Sequence, residues 1–296
     1  MSLSELTMII LVILVAVGFI TRPSLLFGIF GSSLLAASAM DLFTDAPLWM
    51  CLLCLAGCIV GLLVLAFVFL LLICGAVDLD KPQEHDSKFY RAVMHWYIAA
   101  LIPLVRLEIR TKGLEKTPKE GRFLLVCNHQ NESDPGILLH YFKNSQLAFI
   151  SKRENKTMFA VGKFMHKTMC QLVNRENDRE ALKTILRCIQ LIRDDEVSVG
   201  VFPEGGILVK DRLSHFRSGV FKIAQKTGVP IVVCTLKGTS DLFHNLKRLK
   251  KTRVELHLVD VIPAEALEGR TTVDIAEQVH AMMLADLGPE YAMEDA

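Results

Sequence analysis

Charge is almost missing from the first 80 residues of this 296-residue chain. Only six of its 33 Lys and Arg and 32 Asp and Glu residues occur there, and residues 47–77 contain none. An uncharged segment of this length does not form the water-exposed surface of a soluble domain. A composition with 51% hydrophobic residues also excludes intrinsic disorder. We therefore expect a membrane anchor over residues 1–80, followed by one globular domain, for which residues 81–296 are long enough.

The eight cysteines lack any spacing that would indicate a disulfide framework or a zinc site. Cys51 and Cys54 are two residues apart, but they have no histidine or charge beside them, so we expect apolar packing. Residues 81–296 carry 32 basic and 27 acidic side chains. This excess is weaker than the basic stripes of nucleic-acid-binding proteins, and it suits an anionic membrane surface or a phosphorylated substrate.

The anchor contains three apolar runs, over residues 6–20, 24–40 and 48–76. The third would extend ~43 Å as a helix, which exceeds the ~30 Å hydrocarbon core of a bilayer. The first two are marginal spans separated by Thr21-Arg22-Pro23, so the sequence predicts three transmembrane helices. A cleaved signal peptide ending near Ala37-Ser38-Ala39 is the alternative, although the start carries Glu5 and no basic residue.

The few charges of the anchor predict its orientation. With three spans, Arg22 and the globular domain lie on one side of the membrane, and Asp41 and Asp45 lie on the other. The positive-inside rule then puts the globular domain in the cytoplasm. We therefore expect an integral protein of the cell membrane with its catalytic domain on the cytoplasmic side.

Residues 81–105 contain apolar side chains at spacings of three and four, which predict an amphipathic helix. The chain's two tryptophans, Trp49 and Trp96, lie at the start of the long apolar run and within this helix, as interfacial anchors do. We expect the helix to lie on the membrane surface. The alternative is a helix that faces the protein core, which the periodicity alone does not distinguish.

Residues 106–296 alternate between β-rich runs and helical patterns, which predicts an α/β domain with a mixed sheet flanked by helices. Strands are predicted at 107–110, 123–127, 147–150, 197–202, 229–236 and 253–261. Helices are predicted at 180–192, 220–227 and 273–287. The strands have few polar positions, so we expect a sheet covered on both faces, with ligands bound where strands end in loops.

A polar segment from Asn128 to Asp134 directly follows the strand predicted at 123–127. Five positions separate His129 from Asp134 across a turn that opens a helix. A carboxylate at that distance can fix the tautomer of the imidazole and support its protonated form, which makes His129 a candidate general base. The alternative is that Asp134 only caps the helix and His129 is an ordinary loop residue.

Two further segments carry candidate ligand-binding residues. Glu204, Gly205 and Gly206 follow a predicted strand, where glycines allow backbone N–H groups to approach an anion; a simple tight turn is the alternative. Arg175 ends a short apolar segment and could bind a phosphate in bidentate fashion, or could form a surface salt bridge. A basic cluster at 247–253 could contact anionic lipid or an acidic carrier, or could be a solvated connection.

Taken in order, these segments resemble the sequence blocks of the glycerolipid acyltransferase family typified by lysophosphatidate (1-acylglycerol-3-phosphate) acyltransferases. The resemblance covers residues 106–238, and the blocks correspond to Asn128-His129 with Asp134, Val173-Asn174-Arg175, Phe202-Pro203-Glu204-Gly205 and Val229-Pro230-Ile231-Val232. The third block commonly continues with Thr-Arg-Ser in the family, whereas Gly206-Ile207-Leu208 follows here. The missing arginine leaves the head group of the acceptor open.

The resemblance implies a membrane-bound enzyme that moves a fatty acyl group from acyl-CoA or acyl-carrier protein to the sn-2 hydroxyl of 1-acylglycerol-3-phosphate, giving phosphatidic acid. His129 would remove the hydroxyl proton and Asp134 would orient His129. The implied acceptor-binding residues are Arg175, Glu204 and Gly205, and the motif-supporting residues are Asn128, Pro203, Gly206 and Pro230. No metal or cofactor is implied beyond the acyl donor.

Three alternatives stay open at this point. The acceptor could be another lysophospholipid, with transacylation between phospholipids as a variant. The chain could be a membrane-anchored lipid-binding protein without turnover, which the intact His129 and Asp134 argue against. It could also be a thioesterase in which His129 activates water. We expect lipid substrates, a phospholipid membrane and no nucleic acid as partners.

Overall fold

The computed structural model describes residues 3–21, 24–44, 46–174, 177–207 and 209–293. Its α-helices are α1 Leu3–Thr21, α2 Leu25–Thr44, α3 Leu48–Gly75, α4 Lys88–Leu104, α5 Asp134–Tyr141, α6 Val161–Lys167, α7 Asp178–Arg193, α8 Lys222–Thr227, α9 Leu242–Lys247 and α10 Thr272–Leu287. The chain divides into two compact units. The first comprises Met1–Asp80 with Trp96–Ala100, and the second comprises Lys81–His95 with Leu101–Ala296.

The first unit contains the three apolar helices that the sequence predicts. Among the described residues, two helices are long and apolar enough to cross a membrane, over Leu25–Leu42 and Leu48–Gly75. The apolar part of α1 is shorter, at Leu6–Gly18. The number of spans stays a prediction, and so does the orientation, because Arg22 and Asp45 lie outside the described residues.

The second unit is built on a seven-stranded sheet with the strand order β1-β7-β6-β2-β5-β3-β4. The strands are β1 Leu107–Lys112, β2 Leu124–Cys127, β3 Leu147–Lys152, β4 Gln171–Val173, β5 Ser198–Val201, β6 Ile231–Lys237 and β7 Thr252–Ile262. The β6–β7 pair is antiparallel and every other pair is parallel. The sheet is therefore mixed, and the predicted fold class is confirmed.

Hydrophobic side chains cover both faces of the sheet, because alternate residues of the buried strands point to opposite sides. On one face, Leu124, Val126 and Val233 pack with helices α7, α8 and α10. On the other, Leu125 and Cys127 pack with α5 and with the inward side chains of β7. The central strands β2 and β5 are buried at every position. Burial on both faces explains why these strands show no polar alternation in the sequence.

One strand of the sheet, β4, has no signal in the sequence and was not predicted. Strand β4 has three residues, all of them half-buried, and it pairs only with β3 at the edge of the sheet. A strand this short carries no periodicity of its own. The amphipathic helix predicted over residues 81–105 is shorter in the structure, where it covers Lys88–Leu104 with Ser87 as its N-cap.

Strands β2, β3, β4, β5 and β6 run in the same direction, so their carboxyl ends meet at one edge of the sheet. We call this the carboxyl edge, and the opposite one the amino edge. The connection from β6 to β7 also lies at the carboxyl edge, because β7 is antiparallel to β6. Open sheets of this kind bind ligands at the carboxyl ends of their strands.

Candidate functional site

The loop that leaves β2 is fixed to the neighbouring strand by an asparagine. The side-chain amide of Asn128 donates to the carbonyl oxygen of Leu236 at 2.9 Å, and its Oδ1 accepts from the N–H of Leu236 at 2.8 Å. The buried side chain therefore continues the β2–β6 hydrogen-bond ladder past the last residue of β2. Asn128 supports the motif in this way, and it fixes where the next residue, His129, leaves the sheet.

His129 and Asp134 are in direct contact. The distance between His129 Nδ1 and Asp134 Oδ2 is 2.9 Å, and the same oxygen accepts from the N–H groups of Gln130 at 2.7 Å and Asn131 at 2.8 Å. Asp134 is the first residue of α5, but its carboxylate binds the loop before the helix instead of capping the helix. The structure therefore favours the paired arrangement of His129 and Asp134 over a simple helix cap.

The burial of this pair is asymmetric. The Asp134 side chain is 0% exposed and the His129 side chain is 15% exposed. Asp134 Oδ1 makes no hydrogen bond within the part of the chain that the structure describes. A buried carboxylate with an unused oxygen is incompletely compensated, so it stabilises a positive charge on the adjacent imidazole.

Glu204 joins the His129 loop to another loop of the same edge. Its Oε1 accepts from the N–H of His129 at 2.8 Å, and its Oε2 accepts from the N–H of Ser214 at 3.0 Å. Burial raises the pKa of the Glu204 carboxyl, while the two backbone N–H donors act in the opposite direction. Because backbone groups engage both oxygens, the geometry indicates that Glu204 holds the loops together. Its predicted contact with the acceptor stays untested.

A stack of aromatic rings sets the plane of the imidazole. The His129 ring lies on the Phe202 ring with a centroid distance of 4.1 Å and an angle of 20° between the planes. Phe202 in turn stacks on Phe149 at 5.4 Å. The stack and the Asp134 contact leave Nε2 as the ring atom without a hydrogen bond among the described residues. With Nδ1 donating to the carboxylate, the lone pair of Nε2 can accept a proton.

The turn after β5 requires glycine at position 205. Gly205 has a φ of +79°, and a Cβ there would lie 2.7 Å from the Nε of Arg217. The Gly205 N–H donates to the carbonyl oxygen of Phe202 at 3.1 Å. This N–H is therefore not free to bind an oxyanion, which leaves the buried Gly206 as the candidate of the two.

The remaining predicted residues fall in three different places. Pro203 lies within the turn, where its carbonyl oxygen accepts from the N–H of Arg217 at 2.8 Å. Pro230 lies at the amino edge, where its carbonyl oxygen accepts from the N–H of Leu124 at 3.0 Å, so it supports β2 and β6 at a distance from His129. Arg175 lies outside the described residues. Its role stays a prediction.

A model of the acyltransferase family matches residues 108–237, which include all of the loops described above. The protein named "Probable 1-acyl-sn-glycerol-3-phosphate acyltransferase" of Mycoplasma pneumoniae is 30% identical over 227 residues, which cover 73% of this chain and 83% of that protein. The chain belongs to the acyltransferase family. Its membership confirms the resemblance inferred from the sequence blocks.

Two further comparisons extend this acyltransferase assignment. The chloroplast 1-acyl-sn-glycerol-3-phosphate acyltransferase of Arabidopsis thaliana is 29% identical over 187 residues. The matched region covers 62% of this chain and 51% of that protein. The crystal structure of the 1-acyl-sn-glycerophosphate acyltransferase of Thermotoga maritima superimposes with a TM-score of 0.57 at 20% identity, over 74% of this chain and 86% of that one. The second comparison shows a shared fold.

Several residues that contribute to the candidate site were not predicted to do so. The Phe202 ring stacks on His129, and the N–H groups of Gln130 and Asn131 bind Asp134. The Ser214 N–H binds Glu204, which in turn accepts from the His129 N–H. Arg217, in a segment that the resemblance included, brings a guanidinium against Gly205. Because every residue except proline has a backbone N–H, the residue type does not indicate which N–H groups bind the site, and these donors could not be found from the sequence. Phe202 was identifiable only as part of its block.

The structure also contains a second pair of the same type. His257 Nδ1 lies 2.6 Å from Asp286 Oδ1, on the face of the sheet that α10 covers. The Thr235 hydroxyl donates to the other oxygen of Asp286. Twenty-nine positions separate the two residues, so no local motif reveals them. Within the described residues, no group of three or more His, Cys, Asp and Glu side chains is arranged to hold a metal ion.

Proposed function

We propose that this acyltransferase moves a fatty acyl group from an acyl thioester to the sn-2 hydroxyl of 1-acylglycerol-3-phosphate and so makes phosphatidic acid. The relatives in Mycoplasma pneumoniae and Arabidopsis thaliana carry the name of this activity, which supports the choice of acceptor. The observation that carries the mechanism is the His129–Asp134 contact, with Nδ1 held by a buried carboxylate and Nε2 left to accept a proton.

In the proposed reaction, His129 Nε2 takes the proton of the acceptor hydroxyl as the oxygen attacks the thioester carbonyl carbon. A C–O bond forms, and the carbonyl oxygen carries the negative charge of the tetrahedral intermediate. The intermediate then expels the sulfur, and the imidazolium returns its proton to the leaving thiolate. Asp134 stabilises the imidazolium between these two steps. The Gly206 N–H is our candidate donor to the oxyanion.

The acceptor's phosphate needs cationic groups near the turn after β5. We propose that Arg175 binds it, as the resemblance implies, and that Arg217 assists from its position against Gly205. Glu204 and Gly205 then shape the turn that receives the glycerol phosphate. The acyl donor is acyl-CoA or acyl-carrier protein, and both present the same thioester to His129.

Gly206-Ile207-Leu208 replaces the usual Thr-Arg-Ser of the third block, which favours a second candidate acceptor. An arginine at that position would bind the free phosphate of lysophosphatidate. Its absence therefore costs lysophosphatidate more binding energy than it costs a lysophospholipid whose phosphate carries a head group. The second candidate is therefore acyl transfer to such a lysophospholipid, from a thioester or from another phospholipid.

We further propose that the protein is an integral protein of the cell membrane with its catalytic domain on the cytoplasmic side. Two helices long and apolar enough to span a bilayer support this proposal. The lysolipid acceptor and the diacyl product both partition into lipid. An anchored enzyme therefore meets its acceptor in the same bilayer.

Incubating the purified full chain with a radiolabelled acyl thioester and a panel of lysolipids tests the proposal. We expect labelled phosphatidic acid when lysophosphatidate is present. A preference for another lysophospholipid would support the second candidate. Release of free fatty acid without transfer would identify a thioesterase, and lipid binding without turnover would identify a lipid-binding protein; either result would contradict the proposal.

A further inference from the structure

The chain turns after α10 and brings Tyr291 to the loop that follows β5. Gly288, with a φ of +105°, ends the helix, and a single 3-10 turn follows at Pro289–Tyr291. The carbonyl oxygen of Tyr291 accepts from the N–H of Leu213 at 2.7 Å. Leu213 is buried, and the Tyr291 ring packs against the same hydrophobic cluster. The backbone of Tyr291 is therefore fixed to the loop after β5.

The hydroxyl of Tyr291 reaches the other loop of the site, which follows β2. It lies beside the side-chain amide of Gln130, in a contact looser than a full hydrogen bond. Burial raises the pKa of the Tyr291 hydroxyl, and the Gln130 amide acts in the opposite direction. Both polar atoms of that amide are buried, and no other group among the described residues gives them a hydrogen bond. The Tyr291 hydroxyl is therefore the group that compensates the burial of Gln130.

Tyr291 closes a ring of contacts that contains the proposed proton-transfer pair. Each link of the ring is a noncovalent contact described above, except for the peptide bond between Leu213 and Ser214. The members, in order, are Tyr291, Gln130, Asp134, His129, Glu204, Ser214 and Leu213. Because the ring is closed, no member can move without displacing two neighbours. The pair is thus held from both loops at once.

Core packing is the alternative role for Tyr291. Packing uses the aromatic ring, which a phenylalanine keeps, whereas the contact with Gln130 uses the hydroxyl. A buried tyrosine hydroxyl usually finds a polar partner, and here the partner belongs to the loop that carries His129. Removal of the hydroxyl alone therefore separates positioning from packing.

We propose that Tyr291 is a positioning residue for acyl transfer, because it joins the loops after β2 and β5 and so holds the His129–Asp134 pair in its reactive geometry. The proposal rests on the proposed function for the reaction that the pair performs. The Gln130 N–H binds Asp134 at 2.7 Å, so a Gln130 that is loosened at its side chain also loosens the carboxylate. The imidazole then samples orientations in which Nδ1 leaves the carboxylate, and fewer of them are reactive.

Steady-state kinetics of the full chain in detergent, with an acyl thioester and lysophosphatidate, tests this role. Tyr291→Phe should lower kcat about tenfold and change the KM for lysophosphatidate less than about twofold, because it misaligns the pair without touching the acceptor. Tyr141→Phe is the matched control. Tyr141 is half-buried at the end of α5, the helix that begins with Asp134, and its ring contacts His140. Equal kcat for the two variants would overturn the proposal.

A double-mutant cycle tests whether the hydroxyl acts through Gln130. Gln130→Leu removes the amide at similar volume and should also lower kcat about tenfold. The protein with both Gln130→Leu and Tyr291→Phe should again lose about tenfold rather than about a hundredfold, since each substitution breaks the same link. Circular dichroism checks that the variants are folded. Losses that multiply in the double variant would overturn the route from Tyr291 to the pair.

Nitrogen NMR of ¹⁵N-histidine-labelled protein tests the positioning without turnover. The ring signals of His129, assigned by their loss in His129→Ala, show which nitrogen carries the proton. Tyr291→Phe should raise the Nε2–H form to at least about one-tenth of the neutral ring, and Tyr141→Phe should leave it at the wild-type level. An unchanged form in Tyr291→Phe would overturn the proposal. A protein that shows the change but makes no phosphatidic acid would refute the proposed function alone.

Discussion

The two His–Asp pairs of the acyltransferase domain have similar contacts and very different surroundings. The Nδ1–carboxylate distance is 2.9 Å for His129–Asp134 and 2.6 Å for His257–Asp286. By distance alone, His257–Asp286 would be chosen as the pair that transfers a proton. The surroundings reverse that choice, because only the first pair joins a fully buried carboxylate to a histidine held at the carboxyl edge of the central strands.

The supports of the two carboxylates explain the difference. Asp134 accepts two backbone N–H groups of its own loop, and Glu204 fixes the backbone of His129 from a second loop. Asp286 is 20% exposed, it binds the Thr235 hydroxyl, and the Lys237 side chain donates to its carbonyl oxygen. The second pair thus ties the end of α10 to the sheet. Backbone hydrogen bonds that hold both residues at a strand end, rather than a short contact, distinguish a pair suited to proton transfer.

The largest expected effect separates the two histidines directly. His129→Ala should lower kcat for acyl transfer about 10³-fold or more, because it removes the proposed general base. His257→Ala, the matched control, should change kcat less than about twofold, since its side chain serves packing. Steady-state transfer to lysophosphatidate measures both. Comparable activity of the two variants would remove the distinction between the pairs.

Substitution of the two carboxylates should also lower kcat only for the first pair, by a smaller factor than substitution of the histidine. Asp134→Asn keeps the shape but loses the charge that supports the imidazolium, so kcat should fall about 10²-fold. Asp286→Asn should leave kcat nearly unchanged and lower the melting temperature instead, because it weakens the contact of α10 with the sheet. Circular dichroism checks that both variants are folded. An Asp134→Asn protein with full activity would show that the carboxylate does not assist His129.

A third histidine shows what burial does without a carboxylate partner. Both ring nitrogens of His95 are buried and make no hydrogen bond among the described residues, and burial, with a smaller contribution from Arg91, lowers its pKa to about 4. The folded-state pKa lies below the unfolded value near 6.5, so the neutral ring is favoured in the folded protein. The neutral His95 ring therefore contributes fully to the free energy of unfolding above pH 6.5. As the pH falls towards 4, the free energy of unfolding decreases by about 2 kcal/mol, after allowance for partial exposure of the ring.

This loss should appear in the pH dependence of unfolding in detergent. The free energy of unfolding of the wild-type protein should fall between pH 6.5 and 4 more steeply than that of His95→Gln, which has no group to protonate there. The other acid-sensitive histidines, His140, His166 and His280, are common to both proteins and cancel in the comparison. Parallel curves for the two proteins would contradict the shifted pKa of His95.

The smallest expected effect concerns the cations near each pair. Arg175→Ala should raise the apparent KM for lysophosphatidate about tenfold with little change in kcat, because it removes binding to the phosphate in ground state and transition state alike. Lys237→Ala, beside the His257–Asp286 pair, is the control and should leave KM unchanged. An unchanged KM for Arg175→Ala would reassign the phosphate site, with Arg217→Ala as the next variant to measure.

The sequence predicted the parts of the fold that have a local signal. Buried strands such as β2 and the amphipathic helix α7 were found from apolar runs and periodicity. Strand β4 was missed because three residues at a sheet edge carry no pattern. The mixed sheet was expected, but its strand order depends on packing between distant segments, which no single segment encodes.

The candidate site divides in the same way. His129 and Asp134 are five positions apart in one loop, so their contact could be predicted from spacing. The Glu204 bridge requires loops after β2 and β5 to meet, and the His257–Asp286 pair requires α10 to pack on β7. The acceptor contact of Glu204 is implied by the resemblance and stays a prediction, whereas its backbone partners depend on how distant loops pack and could not be known from the sequence.

A structure of the complex with both substrates would show whether His129 is placed to deprotonate the acceptor hydroxyl. The wild-type protein would be crystallised with lysophosphatidate and a non-reactive analogue of the acyl thioester. We expect the sn-2 hydroxyl oxygen to lie about 3 Å from His129 Nε2. A hydroxyl beyond hydrogen-bond reach of that atom, with the thioester carbonyl carbon next to a different base, would contradict it.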